Sequence, residues 1–156
     1  MIVILLALVC GLDAPLNEKV VEYARSKLGE KVGDGQCSSL AAEALRYAGG
    51  RRRRGDAGTW GDELQSMLDA KAGDIVQFEN VEFSHTYFRD DGSMIKQNHS
   101  FGHHTAVISR VQKRGTKPIL VILHQNVGGI QIVQEWTMNM AHKKRGSVKV
   151  YRPVAK

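Results

Sequence analysis

The sequence predicts an α+β domain in which N-terminal helices pack on a C-terminal antiparallel β-sheet. Three observations lead there. Up to Gly49 the apolar residues recur at spacings of three and four, the period of a helix. After Gly73 the period falls to two, the period of a strand. Short turns alone separate the later strands, so they pair as hairpins, and helices gathered before a sheet exclude a doubly wound parallel fold. The chain has 156 residues, enough for one domain with a real core.

In chain order, Ile2 to Gly11 form an uncharged run too short to span a bilayer, which takes about 20 apolar residues. That run reads as the apolar part of an export signal, although no basic residue precedes it. The expected division is residues 1–14 as a signal segment and 15–156 as one catalytic domain. A first helix follows Leu16, with Asn17 as its cap, Glu18 in its first turn and Val20, Val21, Ala24 and Leu28 as its apolar stripe. The loop KVGDGQ is marked by Gly33 and Gly35. A second helix starts at Cys37, carries Leu40, Ala41, Ala44, Leu45 and Ala48 on one face, and stops at Gly49-Gly50. Arg51 to Arg54 read as a solvated loop. A weak helix is expected near Asp62 to Leu68. Strands are expected from Ile75, then over 104–111, 119–126, 130–136 and 147–153, with Gly128-Gly129 as a hairpin turn.

The candidate chemistry begins with the thiol. If Cys10 leaves with a signal, Cys37 is the remaining cysteine of the chain. It sits where a helix offers unpaired N–H groups and the positive end of its dipole, which favours a thiolate. The same N–H groups can stabilise the oxyanion of an acyl-transfer intermediate. The opposing reading is a small core residue, which free cysteines often are. A thiolate needs a base, and His104 opens the strand HTAVISRV. The turn near Gly115 sets residue numbers of paired positions to a sum of about 230. His104 then opposes Asn126, Ala106 opposes His124, and period two puts all four on one face with His103 on the other. Either His124 or Asn126 can orient the imidazole.

The order of these pieces carries a resemblance. GDGQCSSLAAEAL at a helix start, then GDIVQF, then HHTAVI, then LHQN resembles the NlpC-type cysteine peptidases and the related cysteine- and histidine-dependent amidohydrolases, small papain-like folds. The likeness covers about Asn17 to Trp136. It implies a papain-like fold, with Cys37 as nucleophile, His104 as base and His124 as third residue. It also implies amide hydrolysis through a thioester, with cell-wall peptides as a typical target. Where the amidohydrolase branch ends its strand with Glu-x-Asn, this chain has His124-Gln125-Asn126. Gln36 stands where papain-like enzymes keep an oxyanion donor, and Asn126 is expected to orient or to bind substrate.

Composition sets the remaining expectations. Lys plus Arg number 22 against 16 Asp plus Glu, a net +6 that suits a polyanion without naming one. A non-catalytic secreted binding module is therefore the alternative to an enzyme, since fold does not guarantee function. A zinc hydrolase using His99, His103 and His104, joined by Cys37, His85 or His124, lacks the tight spacing of such sites. Aromatics at 6% argue against single-stranded nucleic acid as a partner. The expected protein is a monomer with no metal, no cofactor and no membrane span. It acts on a peptide or peptidoglycan-like substrate and is secreted or held in the cell envelope.

Overall fold

The computed structural model describes residues 14–51, 58–113 and 115–156. The export-signal run and Cys10 lie outside the described residues, as do Arg52 to Arg54 of the arginine run. Helix α1 spans Leu16–Ser26 and α2 spans Cys37–Ala48. The strands are β1 (Asp62–Glu63), β2 (Ile75–Phe88), β3 (Met94–Gln112), β4 (Ile119–His124), β5 (Gln134–Asn139) and β6 (Lys143–Arg152). They form one six-stranded sheet in the order β1-β6-β2-β3-β4-β5, every neighbouring pair antiparallel. The α+β expectation holds.

The two sheet faces have separate cores. Helices α1 and α2 cover one face: Val20, Ala24, Leu40, Ala41, Ala44 and Leu45 pack against Ile75, Val107, Leu123 and Tyr151. The other face buries Val76, Phe78, Ala106, Ile108, Leu120 and Ile122 under Ala70, Met138 and Met140. This is period-two alternation with both faces apolar, so β4 and the segments Ile75–Phe78 and His104–Ser109 of β2 and β3 are buried on each side. The alternation shifts by one at Asn80, whose φ is +48°, so Val81 and Phe83 rejoin the face of Phe78. Across from it, Gly146 is obligatory: a Cβ there would lie 2.3 Å from the Asn80 carbonyl oxygen, at φ +83°.

Several elements depart from expectation. Asn17 lies inside α1, and its buried Nδ2 donates to Asp74 Oδ1 at 2.7 Å instead of capping. Leu28 lies beyond the helix and is exposed. The weak helix near Asp62 is a two-residue strand and a 3-10 turn at Met67–Asp69. β5 begins at Gln134 rather than residue 130. The largest surprise is the length of the β2–β3 hairpin, paired out to Phe88 and Met94. Asp74 explains the GDIVQF motif. Fully buried, it accepts from Asn17, from the Lys71 N–H and from Arg152, tying α1, β2 and β6 together.

Candidate active site

The β3–β4 register comes out as the turn implied: Val107 opposes Leu123 and Ile108 opposes Ile122, before a bulge near Ser109. It brings two of the sequence candidates together. His104 Nε2 lies 3.0 Å from His124 Nδ1 in a buried imidazole–imidazole hydrogen bond. Aromatic rings wall the pair. Phe101 stacks on His104 at 4.6 Å between ring centroids, and Trp136 meets His124 edge-on at 4.6 Å. Burial holds both histidines below their ordinary 6.5, His104 at about 4 with His103 adding to the effect, and His124 at about 3 with His104 and His99 adding to it. Both rings are therefore neutral at pH 7.

A neutral pair has one proton to share across the bond. When His104 Nε2–H donates to His124 Nδ1, the lone pair of His104 Nδ1 is free to act as base. Among the described residues His124 Nε2 is the buried side-chain polar atom without a partner; His104 Nδ1 is not so sealed.

The thiol reaches this region from another direction. Cys37 is the first residue of α2 and is partly exposed. Its preceding residue is stitched to the end of β4. Gln125 Nε2 donates to the Gln36 carbonyl at 2.7 Å and to the Val32 carbonyl at 2.9 Å, and its Oε1 accepts from the Val32 N–H. Asn126, at φ +64°, turns the chain and donates its Nδ2 to Gln36 Oε1 at 2.9 Å. Asp34 shapes the approach loop by accepting from the Gln36 N–H and the Ser39 hydroxyl. Its carboxyl is held below the usual range, first by the Ser39 hydrogen bond. Thus the residue before the thiol is tied to the two residues that follow His124.

The even-numbered face that carries His104 and His124 is not the face that α2 covers. α2 covers the face of Val107 and Leu123, whereas His104, Ala106 and Ile108 project from the other. Cys37 has no hydrogen bond to either histidine. β4 stops at His124, so the edge of β3 beside His104 has no partner residue from β4. Asn126, expected opposite His104, reaches Gln36 instead. His103 points to the helix-covered face, where its Nδ1 lies 2.7 Å from Glu79 Oε1. His103 and His104 lie on opposite faces and do not point to a common ion. No group of three or more metal-ligating side chains among the described residues is placed to hold an ion. Gln125 was missed by sequence reasoning, although its alternation with Leu123 could have placed it beneath α2.

Sequence comparison supports the fold independently. The model of the AIM3/BBC1 cysteine proteinase-fold domain matches residues 13–156. The chain belongs to that family. The match supports the cysteine proteinase fold and does not name the NlpC group. A curated relative, Altered inheritance of mitochondria protein 3 of Debaryomyces hansenii, is 27% identical over 155 aligned residues. The alignment covers 88% of this chain and 16% of that protein, so the chain spans about one sixth of the relative's length. No solved structure matches the chain. The relative's name concerns the inheritance of mitochondria, an organelle within the cell, and this overturns the secreted or cell-envelope expectation. No helix among the described residues is long and apolar enough to cross a membrane.

Proposed function

We propose that this AIM3/BBC1-type domain is a cysteine hydrolase that cleaves an amide or peptide bond through a thioester. Cys37 is the nucleophile, His104 the base and His124 the orienting residue. The observation that carries the reading is the His104–His124 hydrogen bond, at the same strand end to which the α2 N-terminus is tied. His104 Nδ1 takes the thiol proton while its Nε2–H stays on His124. The thiolate attacks the substrate carbonyl. The first N–H groups of α2 face the developing oxyanion, and Gln36, whose Oε1 is occupied by Asn126, keeps its Nε2 as a further donor. His104 then protonates the leaving amine, and a water molecule, deprotonated by His104, releases the acid.

A second reading rests on a specific observation: Cys37 makes no hydrogen bond to either imidazole, and α2 covers the opposite sheet face. On that reading the domain keeps the fold and binds a partner through its basic surface. Screening a fluorogenic peptide library with the wild-type chain and with Cys37→Ala separates the two. Turnover that disappears in Cys37→Ala supports the hydrolase; turnover by neither chain favours the binding module.

A further inference from the structure

On the far side of Trp136 from His124, three histidines from three segments converge on one cavity of about 300 Å³. His85 comes from β2, His99 from β3 and His142 from the 3-10 turn Met140–His142 after β5. The rings of His85 and His142 lie parallel, 3.9 Å apart. Asn139 Nδ2 sits 3.4 Å from His142 Nε2, which fixes the second ring in place. Phe83 and Met138 supply apolar wall and belong to the buried core beneath the sheet.

The lining has a one-sided chemistry. It contains imidazoles, amides and hydroxyls, but no Asp or Glu to repel an anion and no Lys or Arg to fill the space with a long side chain. Its volume falls at the lower end of small-molecule sites, which combine apolar walls with a few convergent polar groups. We infer that this cavity is a binding site for a small organic anion, with an oxyanion (carboxylate or phosphate) held by His85, His99 and His142 and an apolar body against Phe83 and Met138. The inference is independent of the hydrolase reading.

Protonation and anion binding reinforce each other here. Burial, the neighbouring His85 ring and Lys144 hold His142 below its ordinary 6.5. Two cationic rings stacked at this separation repel each other, and an oxyanion between their N–H edges relieves the repulsion. The other groups facing the cluster are Tyr87 beside His85, Trp136 against His99, and His124, whose charge would oppose that of His99. None of them is acidic near neutral pH.

Benzoate is a suitable probe and benzamide its neutral control. Imidazole-resolved NMR at about pH 6 follows the two titrations in the whole chain. Benzoate is expected to shift the His85, His99 and His142 signals saturably and leave His103 unmoved. It should bind about tenfold more tightly than benzamide, the value of one charge-assisted hydrogen bond. His142→Gln should weaken benzoate by a similar factor while the His104 and His124 signals stay in place, which shows that the variant is folded. Equal affinity for benzamide, absence of saturable shifts, or unchanged benzoate affinity in folded His142→Gln would each overturn the site. If His142→Gln disturbs the fold, His85→Gln carries the same test.

Discussion

Two pairs of histidines on this sheet show how one residue type acquires different chemistry. His104 and His124 meet nearly at right angles, joined by a hydrogen bond and sealed among Phe101 and Trp136. His85 and His142 lie flat against each other, with His85 exposed and little of the pair withdrawn from water. The edge-on pair shares one proton between His104 Nε2 and His124 Nδ1. The stacked pair shares no proton between its rings, and with His142 Nε2 beside Asn139 the other ring nitrogens are those left for an external group. Burial suppresses charge strongly in the first and mildly in the second. Hydrogen-bond geometry therefore decides which pair suits acid–base chemistry and which suits ligand binding.

The comparison can be broken most severely at the base. His104→Ala should lower turnover by about 10²–10⁴-fold, the usual worth of a general base, whereas His85→Ala should leave it unchanged. Comparable losses in the two variants, read as kcat/KM on any cleaved peptide, would remove the distinction. His103→Ala should retain activity, because the Nδ1 of His103 is taken by Glu79 Oε1 and the ring makes no bond to His104 or His124.

An effect of several kcal/mol is expected in the pH dependence of stability. The folded pKa values of His104 and His124 lie below the unfolded value, so the unfolded chain binds more protons between them. Their contribution is full above about pH 6.5 and is lost as pH falls toward about 4. For His104 this amounts to about 3 kcal/mol. Urea midpoints measured across this range should fall with pH in the wild type and flatten in the double variant His104→Phe, His124→Phe. A wild-type midpoint independent of pH would show that the pair is not held neutral by folding.

Smaller effects sharpen the orienting role. His124→Ala should cost less turnover than His104→Ala and more than Asn126→Ala, because an orienter tunes the base while Asn126 acts through Gln36. If Asn126→Ala is the inactive variant and His124→Ala is near normal, Asn126 is the third residue. Chelation with EDTA should leave hydrolysis unchanged, and loss with recovery on added zinc would reopen the metal reading.

Much of this was legible in the sequence, for local reasons. Period and turn residues gave α2, the sheet and its antiparallel sense. The turn at Gly115 gave the register that joins His104 to His124. The distal β2–β3 hairpin was not read, since residues 84–98 alternate few apolar side chains. Its Asp91-Gly92 turn was the available signal. The sheet face that α2 covers was not legible either. Alternation says which strand residues share a face, but helix packing decides which face the helix covers. Ile75 and Val107 could equally have faced away from α2. Gln125 was overlooked because a polar residue at a strand end reads as loop, although here it bonds Val32 and Gln36 beneath α2.

The central claim is that the His104–His124 pair serves the thiol of Cys37. Iodoacetamide alkylation of Cys37, followed by intact mass and peptide mapping from about pH 5 to pH 10, tests it most directly. The account expects Cys37 in the wild type to react about tenfold or more faster than in His104→Ala at neutral pH, with the two rates converging near pH 10. Superimposed rate profiles across the whole range would contradict it, because a base that serves the thiol cannot be removed without a change in thiolate population.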